Sequence, residues 1–126
     1  MSVYRENKGP STSMIKVSIF YLNTKGRRFD RDYYLNKHMP RAIELLSAHP
    51  GYRSASVEFG LGGGGAGEPP TYTAICHFVF DSFESFMAAF IPIRPELQGD
   101  VRNYTDIETI IQISEIALAQ SSQAIG

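Results

Sequence analysis

The sequence lacks most of the residue groups that identify a metal centre or a bound dinucleotide. It has one cysteine and three histidines, without a Cys-x-x-Cys or His-x-x-x-His pair, so the spacing predicts no metal site. The single cysteine, Cys76, lies in a strand-like run, which favours a position in the core. It cannot form an internal disulfide, which suits a reducing cytoplasm. No Gly-x-Gly-x-x-Gly opens a helix and no Gly-x-Ser-x-Gly occurs, which argues against a bound dinucleotide and a serine hydrolase. We therefore predict no cofactor, with heme held by a lone histidine left open.

Excess charge and long apolar runs are also missing. The net charge is -1, with 43% hydrophobic and 20% charged residues, which is typical of a globular domain without a basic surface for nucleic acid. The longest apolar runs, such as residues 75–80, fall far short of the ~20 residues that cross a bilayer. We expect neither a nucleic-acid partner nor a membrane partner.

Glycine, by contrast, is concentrated in the run G-L-G-G-G-G-A-G-E-P-P at residues 60–70. A phosphate-binding loop needs a helix directly after its glycines and a Lys-Ser or Lys-Thr pair. This run ends in two prolines and leads into a strand-like segment, so it is interpreted as a long, flexible hairpin loop.

The chain length of 126 residues corresponds to one domain. We assign it to residues 14–118, with a disordered extension at 1–13 and a tail at 119–126. Apolar periodicity predicts strands at 14–22, 52–61, 71–80 and 106–116, a helix from Asp30 to about Ala48, and a second helix from Ser82 to the prolines at 92 and 95. The order βαββαβ is that of an α+β, ferredoxin-like fold, with a four-stranded antiparallel sheet and both helices on one face.

Apolar residues occupy both faces of the first and third predicted strands. Helices can cover only one of these faces, and an exposed apolar face is uncommon in a soluble monomer. We therefore expect a homodimer in which two sheets meet face to face, with a small hydrophobic ligand held in the space between them.

The first predicted helix carries the most informative run, F-D-R-D-Y-Y-L-N-K-H-M-P at residues 29–40. Helical spacing places Tyr34 and His38 on one face, whereas Tyr33 points about 100° away. Pro40 has no N–H to donate to the carbonyl of Asn36, so the helix should kink or restart beside the histidine.

This run, together with D-V-R-N-Y-T-D-I at residues 100–107 and Q-I-S-E-I at 112–116, resembles the EthD family over about residues 14–116. The resemblance implies a dimeric α+β barrel. The family is named for a protein linked to oxidative degradation of fuel ethers by a cytochrome P450 system, so an oxygenase system is an implied partner. The same superfamily includes heme-free monooxygenases, lactone isomerases, polyketide cyclases and some heme enzymes, and one fold hosts many chemistries. The glycine hairpin and the lack of a proline near Thr109 depart from the family pattern.

His38 is the main catalytic candidate, because an ordinary imidazole gains and loses a proton near neutral pH. The alternative is that it only bonds carbonyls freed by Pro40. Tyr34 is expected beside it. Asp106 either orients the imidazole or caps a turn, and turn capping is the commoner role for such a residue. The remaining candidates are proposed to bind the ligand: Phe20, Tyr21, His77 and Tyr104. His77 is either a hydrogen-bonded core histidine or a residue that lines the cavity.

Two classes of function follow from these residues. The first is an enzyme of oxidative catabolism that oxidises, isomerises, cyclises or decarboxylates a small hydrophobic metabolite, with His38 as general acid and base. The second is a carrier or accessory protein for an oxygenase, in which the same residues only orient the ligand.

Overall fold

Four segments of alternating apolar residues form one antiparallel sheet in the computed structural model, which describes residues 13–122. The strands are β1 (Ile15–Leu22), β2 (Tyr52–Phe59), β3 (Tyr72–Phe80) and β4 (Thr109–Glu115). Their spatial order is β2-β3-β1-β4, so the first and third strands are central. This order, with helices between β1 and β2 and between β3 and β4, confirms the predicted ferredoxin-like α+β fold.

The helical segments follow from caps and prolines that are visible in the sequence. They are α1 (Arg31–Tyr33), a π-helical segment (Tyr34–His38), α2 (Met39–Ser47), α3 (Phe83–Phe90), α4 (Arg94–Asp100) and two 3-10 turns (Ile91–Ile93 and Val101–Asn103). Asp30 caps α1 by accepting from the Tyr33 N–H at 3.0 Å, and Ser82 caps α3 by accepting from the Ser85 N–H at 3.0 Å.

The α-helix restarts beside Pro40, as expected: α2 begins at Met39 and has the proline in its first turn. The turn before it widens into the π-helical segment, in which the Met39 N–H donates to the Tyr34 carbonyl five residues back. A π turn is one way for a helix to continue past a carbonyl that has lost its partner, and such turns are frequent at functional sites. The widened turn also carries His38, so the proline and the histidine belong to one local structure.

Two boundaries differ from the sequence prediction. The polar connection expected after Pro92 and Pro95 contains the additional helix α4, because a proline in the first turn of a helix gives up no intrahelical bond. Strand β4 begins at Thr109 rather than at Asp106. The preceding residues form a turn in which Thr105 pairs with Phe29 in an isolated bridge.

The glycine loop joins β2 to β3 and no helix follows it, which agrees with the hairpin interpretation. It is organised by Glu68, whose carboxylate accepts from the Gly64 N–H at 3.1 Å and whose backbone carbonyl accepts from the Gly63 N–H at 2.8 Å. The loop therefore binds its own carboxylate where a phosphate loop would bind a phosphate.

The two faces of the sheet differ in chemistry. The helix-covered face carries the buried core, which includes Val17, Tyr21, Ala74, Cys76, Phe78 and Phe80. On the open face, apolar residues such as Phe20, Ile75 and Val79 are only half-buried. They alternate with polar ones, and Ile110 is 49% exposed there. The second face is thus apolar in part, rather than throughout as expected.

The extension predicted at residues 1–13 lies outside the described residues, except for Ser13, and so does the end of the predicted tail, residues 123–126. The proposed division into a domain at 14–118 with flanking segments stays a prediction. Within residues 13–122, no helix has the length and apolar character that a bilayer span requires.

Candidate functional site

A cavity of about 220 Å³ lies between the helix-covered face of the sheet and the helices. Its walls are largely apolar, and the residues that bring polar atoms to it are Tyr21, Tyr34, His38, Cys76, Gln98, Tyr104 and Thr109. This position differs from the expected one, since the cavity lies inside a single chain rather than between two sheets. Three aromatic residues that pack against one another line it, namely Tyr21, Tyr34 and Tyr104.

His38 forms part of the cavity wall. It is 8% exposed, and its ring stacks on that of Tyr34, with centroids 5.6 Å apart and planes 13° from parallel. The Tyr104 ring lies on another side, 4.6 Å from the imidazole centroid. The structure therefore brings together His38, Tyr34, Tyr21 and Tyr104, four of the seven residues that sequence reasoning proposed.

A carboxylate that sequence reasoning missed contacts the imidazole. His38 Nδ1 lies 2.8 Å from Asp100 Oδ2. The other carboxylate oxygen, Oδ1, accepts from the Tyr33 hydroxyl at 2.6 Å and from the Asn103 side-chain amide at 2.9 Å. Burial raises the pKa of Asp100, but the hydrogen bonds from Tyr33, Asn103 and His38 outweigh it and hold the pKa below its ordinary value.

The ionised Asp100 fixes the tautomer of the neutral imidazole. A carboxylate can only accept hydrogen bonds, so Nδ1 must carry the hydrogen. The lone pair of the neutral ring then resides on Nε2. An imidazole held in this way can take a proton on Nε2 while the carboxylate stabilises the positive charge that develops.

His38 also borders a second, more open pocket on the outer side, which contains the polar groups Tyr33, Lys37, Arg41, Glu96, Asp100 and Asn103. Arg41 is paired there with Glu96 at 2.6 Å. The imidazole thus stands between the largely apolar cavity and a polar surface pocket.

The three cavity tyrosines form a hydroxyl cluster, defined here as Tyr21, Tyr34 and Tyr104. The hydroxyl oxygens of Tyr21 and Tyr104 are 2.7 Å apart, and the ring of Tyr34 packs against both rings, with its centroid 5.7 Å from that of Tyr21 and 4.9 Å from that of Tyr104. Burial raises the pKa of each of these tyrosines above its ordinary value, so all three stay protonated at physiological pH. Burial also raises the pKa of the neighbouring Cys76 thiol to about 12, so this cysteine is not a thiolate nucleophile.

Asp106 does not contact the imidazole, and the prediction that it orients His38 is corrected by the structure. It accepts from the Arg28 N–H at 2.8 Å and lies 3.9 Å from the Arg27 guanidinium, in a half-exposed turn. This is the turn-capping role that was the alternative. The D-V-R-N-Y-T-D run contains both aspartates, and only the placement of the first at the end of α4 distinguishes them.

Phe20 and His77 lie on the open face of the sheet, on the other side from the cavity, so they do not line it. His77 Nδ1 is 2.8 Å from Ser18 Oγ and Nε2 is 3.1 Å from Glu58 Oε1. This hydrogen-bonded state agrees with the structural interpretation of His77. His49 accepts from the Gly51 N–H at 2.9 Å at the end of the first helical region, also outside the cavity.

Within the described part of the chain, no group of three or more potential metal-ligating side chains, counting His, Cys, Asp and Glu, is close enough to hold a metal ion. The polar groups of the cavity are hydroxyls, a thiol, an amide and an imidazole. Such groups can form hydrogen bonds, and the imidazole can also accept and donate a proton.

Comparison with known proteins agrees with this architecture. A family model described as the EthD domain matches residues 26–108. A solved EthD-like protein from Ralstonia eutropha JMP134 is 41% identical, with 88% of this chain and 98% of that chain covered and a TM-score of 0.81. Among proteins with curated descriptions, none matches.

More distant structures share the fold. A hydroxynitrile lyase from Passiflora edulis is 12% identical over 88% of this chain and 100% of that chain, with a TM-score of 0.62. A cofactor-independent oxygenase from Streptomyces nogalater is 12% identical over 89% and 97%, with a TM-score of 0.53. The matched sequence model and the 41% identical relative together show that the chain belongs to the EthD family.

Proposed function

We propose that this protein is an enzyme that moves protons on a small hydrophobic substrate, with His38 as general base and acid and without a bound cofactor. The observation that carries the proposal is the pairing of His38 with Asp100 at the wall of the apolar cavity. A histidine that served only to bond carbonyls freed by Pro40 would not need a partly buried carboxylate that accepts from two further hydrogen-bond donors.

The cavity favours proton transfer in two ways. Its walls hold few competing polar atoms, so a charge that forms on a substrate interacts strongly with the few groups that face it. The Asp100 carboxylate stabilises the imidazolium that His38 becomes when it accepts a proton. Removal and return of a proton are the steps that isomerisation, cyclisation, decarboxylation and cofactor-independent oxidation have in common.

The distant structures support this proposal only through their shared fold, since both are 12% identical to this chain. One is described as a cofactor-independent oxygenase and the other as a hydroxynitrile lyase, which indicates that related folds perform reactions of more than one type. Tyr34, stacked on the imidazole, is proposed to keep the ring in its plane.

The second candidate is a carrier in a cytoplasmic oxygenase system. The apolar lining favours it, because such a cavity holds a hydrophobic molecule whether or not it reacts. The two candidates differ in what His38 contributes, because a carrier needs the cavity but not the proton.

The deciding experiment compares turnover and binding of small aromatic and lactone substrates by the wild type, His38→Ala and the control His49→Ala. Loss of a general base typically costs ~10²–10⁴-fold in rate, so we expect His38→Ala to lose at least 10²-fold in kcat while binding is retained. His49 lies outside the cavity, and His49→Ala should behave as the wild type. Binding without turnover by all three proteins would favour the carrier, and equal measurable turnover by all three would show that His38 is not the base.

A further inference from the structure

The hydroxyl cluster has a hydrogen that it cannot use internally. Three hydroxyl groups carry three hydrogens, and one hydrogen bond, between Tyr21 and Tyr104 at 2.7 Å, forms within the cluster. That bond uses one hydrogen, so at least one O–H is left to donate elsewhere.

The surroundings of this O–H offer it little. Among the described residues, the bond between Tyr21 and Tyr104 is the one hydrogen bond that these hydroxyls make, and none of the three oxygens is fully buried without a partner. All three side chains line the cavity, so the remaining O–H is available to a molecule that enters it. An oxygen atom of a bound ligand is the acceptor that this arrangement fits.

The cavity also limits the size of the ligand. An engineered cavity of ~150 Å³ in another protein holds one benzene molecule. At about 220 Å³, the cavity accommodates one ring with a short substituent.

We infer that the substrate is a small carbonyl compound, about one ring in size, whose oxygen accepts this hydrogen, and that the hydroxyl cluster stabilises the enolate formed when His38 removes a proton from the adjacent carbon. The inference rests on the proposed function, because the base is His38. It adds a substrate class and an oxyanion site formed by Tyr21, Tyr34 and Tyr104, at the wall where the Tyr104 ring lies 4.6 Å from the imidazole.

The step balances without a further reactant. The C–H bond next to the carbonyl breaks and its proton goes to His38 Nε2. The electron pair of that bond forms a C=C bond, and the π pair of the carbonyl moves to the oxygen, where a tyrosine O–H donates to it. Where the substrate carries a C=C bond next to the carbon that loses the proton, the enolate is a dienolate. Return of the proton from Nε2 to its γ carbon uses the electron pair of that C=C bond, moves the double bond into conjugation, re-forms the carbonyl and restores the neutral imidazole, which gives an isomer.

The test uses 4-nitrophenol. Its anion is a planar molecule with a negatively charged oxygen and so mimics an enolate. The anion absorbs visible light, whereas the neutral form does not. We expect the wild type to bind the anion in preference to the neutral phenol. A hydrogen bond to a charged group is typically lost at a cost of roughly 10- to 100-fold in affinity, so Tyr104→Phe should weaken binding of the anion by that factor. Tyr72→Phe is the matched control, since Tyr72 packs against Phe20 on the open face and its loss should change nothing.

Removal of one hydroxyl leaves its partner unpaired and can destabilise the fold, so the double variant Tyr21→Phe/Tyr104→Phe, which removes both, provides a second measurement. Folding is checked by circular dichroism. Preference for the neutral phenol, no binding of either form, or equal binding of the anion by the wild type and both variants would overturn the inference. The His38→Ala turnover assay tests the proposed base separately. If His38→Ala loses activity but the wild type shows no preference for the anion, His38 is supported as the base and the oxyanion site is rejected. If the wild type prefers the anion but His38→Ala turns over as the wild type does, the oxyanion site is supported and His38 is rejected as the base.

Discussion

Asp100 determines which nitrogen of His38 carries the hydrogen, and this can be measured without knowing the substrate. In the wild type we expect Nδ1 to be protonated and Nε2 to be free in the neutral ring, because the carboxylate only accepts. In Asp100→Asn the amide can donate to Nδ1, which moves the hydrogen to Nε2. Imidazole ¹⁵N chemical shifts distinguish the two forms. A matching tautomer in the wild type and the variant would contradict the assigned role of Asp100.

Asp106→Asn is the matched control. It removes the same charge from a turn that does not contact the imidazole, so the His38 nitrogen shifts should stay as in the wild type. If turnover is found, Asp100→Asn should lower kcat by ~10²–10⁴-fold, as expected when a general base is lost or held in the wrong tautomer.

The same substitution should show a pH dependence in stability. The pKa of Asp100 lies below its ordinary value of 3.8 in the folded protein. The ionised carboxylate therefore stabilises the fold above about pH 4, and this contribution is lost as the pH falls through the folded pKa. We expect Asp100→Asn to lower the free energy of unfolding by about 1–2 kcal/mol at pH 7, with the difference shrinking in acid. Urea titrations at several pH values measure it.

At the scale of elements, substitutions in the β2–β3 hairpin show whether its glycines are needed because a side chain would not fit or only because the loop must be flexible. A Cβ on Gly60 would lie well inside van der Waals contact with the Tyr72 carbonyl oxygen and the Pro70 ring, whereas one on Gly64 would meet nothing within 4 Å. We expect Gly60→Ala to destabilise the protein by about 1–3 kcal/mol. Gly64→Ala should stay within about 0.5 kcal/mol of the wild type. Urea unfolding of both variants is the measurement, and equal midpoints would show that the hairpin moves aside freely.

The elements also show how much of the fold and of the site could be predicted from the sequence. Strand periodicity and the caps at Asp30 and Ser82 predicted the βαββαβ order correctly, because both are local signals. The spacing of Tyr34 and His38 predicted for the same reason that they lie on one face, one turn apart, and in the structure their rings stack. The partner of His38 was missed because its contact with Asp100 joins residues 62 positions apart, and no local pattern distinguishes Asp100 from Asp106.

The position of the cavity could not be predicted for a related reason. The sequence identified which residues alternate on the strands, but not which face the helices cover. Phe20 and Tyr21 are neighbours in the chain and lie on opposite faces of β1. Both were predicted to bind the ligand, but only one of the two faces borders the cavity. A π turn likewise depends on tertiary packing as well as on Pro40.

At the scale of the whole molecule, the open face of the sheet is the surface that a second copy would cover. We propose that it forms the dimer, since it carries half-buried Phe20, Ile75 and Val79 and the exposed Ile110. The polar contacts of His77 with Ser18 and Glu58 lie on the same face. Because the cavity lies within one chain, the dimer is not required to create it, and a monomeric variant should keep the cavity and the contact of His38 with Asp100.

Light scattering after size exclusion tests this assembly. One chain has a mass of 14.0 kDa, and we expect the wild type at micromolar concentration to give twice that value. Ile75→Glu places a charge at the centre of the proposed interface, where desolvation is costly, and should give the mass of one chain. Leu61→Glu makes the same kind of change at a hairpin residue that is 99% exposed, and should leave the dimer intact. A wild type with the mass of one chain, or a dimer that survives Ile75→Glu, would mean that the open face is not where two copies meet.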